Sequence, residues 1–181
     1  MQYLQHRDTA LEATAKCVDS ATKLKERGTD TIKNTIDGLI LSGLGIAYTG
    51  SSRPASGTEH MVGQTWEIMD IEKGHVPNLH GIEVGEATFA AIVIFKKLYD
   101  ETEEKWLKDL IEKYIPAFDK ILELQKQIKI PFTVTEKDKF VEGILRGRTF
   151  RVRYTILQYL YDRGELEKYA DYAYEETMKY Q

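Results

Sequence analysis

His60 and His80 are the residues of this chain whose type and setting best suit chemistry. Each follows a break in helix-forming sequence. His60 closes the stretch TGSSRPASGTEH at 49–60, and His80 opens HGIEVG at 80–85. Imidazole is a common nitrogen ligand for zinc, nickel and ferrous iron. Two helices that start from neighbouring loops can turn both rings into one cleft. The spacing is no short zinc signature of the HExxH kind. The residues alone therefore leave a second reading open, in which one histidine caps a helix and the other is hydrogen-bonded inside. Ser51, Ser52 and Arg53 stand in the loop ahead of a helix start. Hydroxyls, backbone N–H groups and a guanidinium in that position suit a phosphate. The alternative is that Arg53 pairs with a core carboxylate while the serines shape a turn. Glu59 and Glu83 are the nearest carboxylates, and Glu59 is expected to complete a capping box with Ser56. His75 falls in a connection and His6 near a terminus, and both are expected to face solvent.

Almost everything that must position these residues reads as helix. Ala10, Ala13, Cys17, Ala21 and Leu24 recur at three- and four-residue steps and predict a helix over 9–27, stopped by Gly28. A second helix is predicted over 30–48, with Ile32, Ile36, Leu39, Ile40, Gly43 and Leu44 on its inner side. Ser56 is expected to cap a third over about 57–71. The run ATFAAIVIF at 87–95 is apolar nearly all round, so the helix from about 81 to 99 should be central and buried. Further helices are predicted over 102–113, 115–129, 136–147, 150–162 and 165–179, with Thr135 as an N-cap and Gly164 separating the last two. No convincing strand alternation or repeat is seen. The expected fold class is all-α, a multi-helix bundle over 1–181 as a single domain.

Totals exclude several classes. The chain has 181 residues, enough for one domain with a core, and a net charge of −4. That balance gives no electrostatic case for nucleic acid or an anionic membrane surface. Its apolar stretches are shorter than the roughly 20 residues of a membrane span, and the N-terminal sequence lacks a signal-peptide pattern. With one cysteine, Cys17, no internal disulfide can form, and a reducing, cytoplasmic setting is the simplest expectation. Cys17 is expected to be a small buried side chain. Trp66 and Trp106 read as packing residues, as do the tyrosines concentrated between 154 and 180. Arg151 and Arg153 can reach a phosphate or pair between helices.

The motifs SSRPASGTEH, LHGIEVG and RVRYTILQYLYDRGEL (151–166), with LILSGLGIAYTG (39–50) ahead of them, resemble the metal-binding part of the sn-glycerol-1-phosphate dehydrogenase family. That family lies in the superfamily of iron-containing alcohol dehydrogenases, glycerol dehydrogenase and dehydroquinate synthase. The resemblance runs from about Ile32 to the end. It implies a divalent metal (zinc, nickel or iron) on His60 and His80, polarising a substrate oxygen while a nicotinamide exchanges hydride at the neighbouring carbon. It further implies a small phosphorylated substrate, with dihydroxyacetone phosphate and sn-glycerol 1-phosphate interconverted.

Family members carry an N-terminal nucleotide-binding domain, and their third metal ligand, an aspartate, lies upstream of the matched segment. Neither has a counterpart in this sequence, so NAD(P) would enter only through a missing domain and the chain is expected to be incomplete for catalysis alone. The expected partners are a second copy of the chain or a separate cofactor-binding chain, with no nucleic acid and no membrane. Two alternatives stand beside this reading: a non-catalytic helical interaction domain, and the same domain of another polyol or alcohol dehydrogenase.

Overall fold

The computed structural model describes residues 2–180, with side chains described from residue 12 onward. His6 therefore lies outside the described side chains. Among the described residues the chain is all-helical, with nine α-helices, one short 3-10 turn and no strand. The helices are α1 (Gln2–Ala21), α2 (Thr29–Thr49), α3 (Thr58–Glu72), α4 (His80–Glu101), α5 (Lys105–Glu112), α6 (Ile115–Ile128), α7 (Lys137–Gly147), α8 (Ile156–Asp162) and α9 (Leu166–Met178). None is long and apolar enough to cross a membrane, among the described residues. The chain groups into two compact units: residues 1–57 with 123–129, and residues 58–122 with 130–181.

The first unit is built on the α1–α2 hairpin. Its close contact is made by small residues: a Cβ placed on Gly38 would lie 2.6 Å from Cys17 Sγ and 3.0 Å from the Ala13 carbonyl oxygen. The face of α2 that meets α1 thus carries glycine where a side chain has no room. This corrects the expected orientation of α2. Ile32, Ile36, Leu39, Ile40, Gly43 and Leu44, predicted to point inward, are all exposed. Apolar periodicity finds a stripe but does not say what covers it. The α1 surface takes the glycine side and leaves the stripe outside. Cys17 is half-buried against Gly38 rather than fully enclosed.

The second unit holds the larger core. Helix α4 is central, as its all-round apolar sequence predicts: Ala87, Phe89, Ala90, Ile94 and Leu98 are buried. It ends where Thr102 leaves helical geometry and its hydroxyl accepts the Glu104 N–H at 3.2 Å. Trp66 of α3 is fully buried and donates its indole N–H to the Phe140 carbonyl of α7 at 3.3 Å. The contact is possible because α7 carries Gly143 there; a Cβ would stand 2.0 Å from the indole nitrogen. Glu86, buried on α4, accepts from the backbone N–H groups of Thr133 and Val134 at 2.8 and 3.1 Å and from the Thr133 hydroxyl at 3.1 Å. It pins the extended segment that leads into α7. Burial pushes its carboxyl above the usual range, with those three hydrogen bonds pulling the other way.

Several local expectations shift. The helix predicted over 150–162 starts only at Ile156, because residues 149–155 form an irregular arginine-bearing loop. Glu136, not Thr135, occupies the N-cap position of α7, and the Thr135 carbonyl instead accepts the Tyr174 hydroxyl at 2.9 Å. Trp106 is mostly exposed: its indole N–H donates to Glu104 at 2.7 Å and its ring meets Tyr159 edge-on. Of the C-terminal tyrosines, Tyr169 is buried whereas Tyr154 and Tyr161 are exposed. Gly164 ends α8 at φ 70°, a left-handed turn that glycine adopts without a Cβ clash.

Candidate functional site

The two histidines come together. His60 lies in the first turn of α3 and His80 is the first residue of α4; the ring centroids are 5.5 Å apart, tilted by 55°. The closeness originates in the backbone. Gly63, one turn after His60, faces Val84, one turn after His80. A Cβ on Gly63 would meet Val84 Cγ2 and Val84 N, each at 3.1 Å, and the Glu83 carbonyl carbon at 3.2 Å. The α3–α4 crossing is therefore as tight as a glycine allows, and it brings the two imidazoles side by side.

Each ring is oriented by a carboxylate. His60 Nδ1 lies 2.8 Å from Glu59 Oε1, and His80 Nδ1 lies 2.6 Å from Glu67 Oε1. A carboxylate only accepts, so in both pairs Nδ1–H donates. A neutral imidazole held this way keeps its lone pair on Nε2. That is the tautomer a metal takes, and carboxylate partners of this kind orient metal-binding histidines. His60 is half-buried and His80 half-exposed, so the pair is open to solvent. His60, Gln64 and Glu67 recur at steps of four and three residues and share one face of α3.

The pair fits two corners of a metal site. Two imidazoles on one tetrahedral zinc, each with its nitrogen about 2.1 Å from the ion, would have ring centres roughly 5 Å apart. The observed separation is close to that. No group of three His, Cys, Asp or Glu side chains poised for a metal occurs among the described residues. The pair by itself offers two imidazoles, where a catalytic zinc site takes three protein ligands and an open position.

The neighbouring carboxylates take other parts. Glu59 serves His60. Glu83 is fully buried, three residues after His80, and its Oε1 accepts the Asn78 N–H at 3.1 Å. Glu83 so anchors the chain that enters α4 and leads to His80. Its Oε2 has no hydrogen-bond partner, and burial raises the carboxyl above its ordinary value. Val84 packs against Gly63, Gly85 faces Ile130, and Gly81 opens to free space. His75 is exposed.

Ser51, Ser52 and Arg53 lie in the first unit, the histidines in the second. The serine loop is a folded turn: Gly50 at φ 61° ends α2, the Arg53 N–H donates to Ser51 Oγ at 3.3 Å, and the Ala55 N–H to the Ser52 carbonyl at 3.1 Å. Arg53 is exposed.

A second cationic feature stands within the histidines' own unit, and sequence reasoning reached it only in part. Arg148, Thr149, Arg151, Val152, Arg153, Tyr154 and Gln158 line an open cavity of about 400 Å³ with no carboxylate among them. Arg148 is held by Gln158 Oε1 at 3.2 Å and stacks over the Tyr161 ring at 3.6 Å. Arg151 Nη2 donates to Gln64 Oε1 at 3.3 Å. Gln64 is one helical turn from His60 on the same face of α3, a step of about 6 Å between Cβ atoms. Gly147, just before this loop, packs against the Met61 carbonyl, so α7 delivers the arginines beside the start of α3. The available signal was three arginines within six residues; what could not be read was that they flank α3.

No family model matches the chain. It is 30% identical over 164 residues to a glycerol-1-phosphate dehydrogenase [NAD(P)+] of Bacillus licheniformis, covering 86% of this chain and 41% of that protein. It is 29% identical over 140 residues to the enzyme of the same description from Korarchaeum cryptofilum, covering 77% and 40%. It is 32% identical over 142 residues to that of Methanococcus maripaludis, covering 75% and 39%. The chain spans about two fifths of the length of the curated relatives it matches.

Proposed function

We start from the premise that the chain is a distant homologue of a segment of the glycerol-1-phosphate dehydrogenases, and propose that it is the metal- and substrate-binding helical part of an oxidoreductase of that kind. The reaction would interconvert dihydroxyacetone phosphate and sn-glycerol 1-phosphate, with NAD(P) held by another domain or chain. The observation that carries the proposal is the paired imidazoles, 5.5 Å apart, each with Nδ1 on a carboxylate. His60 and His80 would hold a divalent ion, zinc, nickel or iron, which supplies Lewis-acid polarisation of a substrate oxygen.

This chain's own residues supply position. Glu59 and Glu67 fix the tautomer and the aim of the rings. Gly63 sets the separation of the helices that bear them, and Glu83 tethers the backbone entering His80. The arginine loop supports an anionic substrate: guanidiniums bind phosphate with charge and directed N–H groups together. Arg148, Arg151 and Arg153 are therefore proposed to meet the phosphate; Ser51, Ser52 and Arg53, in the first unit, are the alternative anion-binding group.

The test is metal content of the purified, untagged protein by elemental analysis, with His60→Ala and His80→Ala alongside. Near-stoichiometric divalent metal, lost in both variants, is the expected result. Absence of metal from the intact protein after incubation with zinc, nickel or ferrous iron, or equal metal in both variants, overturns the assignment.

A further inference from the structure

We propose that Gln64 is a positioning residue for anion binding: its amide oxygen aims the Arg151 guanidinium and ties the arginine loop to the helix that bears His60. The proposal rests on the reading of the arginine cavity as the anion site, and it does not need the metal. Gln64, Arg151 and the residues that line the cavity all lie in the second unit.

Gln64 stands between the residues that serve the two rings. It is four residues after His60 and three before Glu67, the carboxylate that orients His80, so all three share one face of α3. Its Oε1 accepts from Arg151 Nη2 at 3.3 Å. A guanidinium only donates, so the amide must present its oxygen. The loop meets the same helix at further points. Gly147 packs on the Met61 carbonyl, and Thr149 and Phe150 border a small cavity of about 170 Å³ with Thr65 and Ile68. The Phe150 ring centre lies 5.8 Å from the Arg151 guanidinium carbon.

The chemical type of the partner decides what the contact does. A carboxylate at position 64 would cancel the charge of Arg151 and compete with an anion for its N–H groups. An amide oxygen fixes the direction of the guanidinium and adds no charge of its own. Arg148 is held in the same way: it donates to Gln158 Oε1 at 3.2 Å and stacks over Tyr161, while its Nε is buried without a hydrogen-bond partner. Arg146, which does not line this cavity, differs. Glu72 takes both of its terminal nitrogens at 3.0 and 2.9 Å, an ion pair that joins α7 to α3. Glutamine thus holds two of the arginines that line the cavity, and glutamate holds the arginine that serves helix packing.

Calorimetric titration of the zinc-free chain with inorganic phosphate tests the assignment. Gln64→Met keeps the length of the side chain and removes the acceptor. It should weaken phosphate binding about tenfold, as should Gln64→Ala. Gln64→Glu should weaken binding further, because its carboxylate pairs with Arg151. In an Arg151→Gln background, Gln64→Met should cost nothing more, since Gln64 acts through Arg151. Wild-type affinity in Gln64→Met, which a role in packing alone predicts, overturns the proposal. So do losses from Gln64→Met and Arg151→Gln that add in the double variant. Either result leaves the arginine cavity as the anion site. A wild type that binds no phosphate, or Arg151→Gln that binds it as tightly as the wild type, overturns the anion reading and this proposal with it. None of these results bears on the histidine pair, because the titration contains no zinc.

Discussion

Gly63→Ala tests whether the α3–α4 crossing sets the histidine pair. The new methyl group would face Val84 Cγ2 and Val84 N at 3.1 Å and the Glu83 carbonyl carbon at 3.2 Å, where ordinary contact begins at 3.4 Å. Two of the three opposing atoms are backbone, so rotation of one side chain cannot relieve the overlap. The helices must part by a few tenths of an ångström. Overpacking of this kind costs about 1–3 kcal/mol, offset by about 1 kcal/mol from replacing glycine with alanine inside a helix. The net expectation is a loss of about 0–2 kcal/mol and a melting temperature lower by up to roughly 6 °C. Because His60 and His80 sit one turn from the overlap on either helix, the ring separation should widen with it. Zinc affinity, measured by competition with a chromophoric chelator, should fall by about tenfold or more, comparable to the loss of an orienting partner. Gly81→Ala is the control: it is also a helical glycine beside His80, but its Cβ meets nothing within 4 Å. It should raise stability slightly and leave zinc affinity unchanged. If Gly63→Ala behaves like Gly81→Ala in both assays, the crossing does not position the pair.

Glu67→Ala should weaken zinc binding about 10–100-fold by freeing the His80 ring, while Glu67→Gln, whose amide oxygen can still accept from Nδ1–H, should lose less; chelator competition measures both. Glu86→Ala strands the buried Val134 N–H and the Thr133 N–H and should cost about 2–4 kcal/mol in urea denaturation. Glu101 takes hydrogen bonds from Lys97, Lys168 and Tyr169, which hold its carboxyl at about 2 against an ordinary 4.5. Its contribution to stability is present above the unfolded value and is lost as pH falls from about 4.5 toward 2. Melting curves at pH 5 and pH 3 should therefore converge in Glu101→Gln relative to wild type, and high salt should shrink the difference because the side chain is more than one third exposed.

Helix content was legible because it depends on local pattern. The apolar run at 87–95 could be nothing but an interior helix, and α4 is that. The orientation of α2 was not legible. Its six apolar residues predict a buried stripe, and only the placement of α1 against Gly38 shows which side is covered. Residues 150–155 belong to the helix predicted over 150–162, but the backbone there is irregular and the arginines line an open cavity. The histidines stand out in the sequence by type and by the breaks before them, and the structure sets their rings side by side. Glu67 was not found, because a glutamate thirteen residues before His80 carries no local mark; it reaches the ring only across the α3–α4 crossing. Gln64 was hidden for the same reason. The invisible parts of the site are those joined between elements rather than along one.

The carboxylate pairs also discriminate between two accounts of the histidines. As surface ion pairs, His60–Glu59 and His80–Glu67 would require both rings to be charged. Two positive imidazoles 5.5 Å apart would repel by about 1–3 kcal/mol at dielectric constants between water and a protein surface. Exposed ion pairs contribute roughly 0–1 kcal/mol each, so charging both rings would return little or nothing. Rings that donate through Nδ1 without a second proton avoid that repulsion and keep a lone pair on each Nε2. A cation reverses the sign of the problem, since the negative charges of Glu59 and Glu67 then lie just behind the ligands. Zinc addition at fixed pH separates the accounts. Ring proton resonances of His60 and His80, followed by NMR, should both move when zinc is added. Resonances that zinc leaves unmoved would leave only the surface ion pairs.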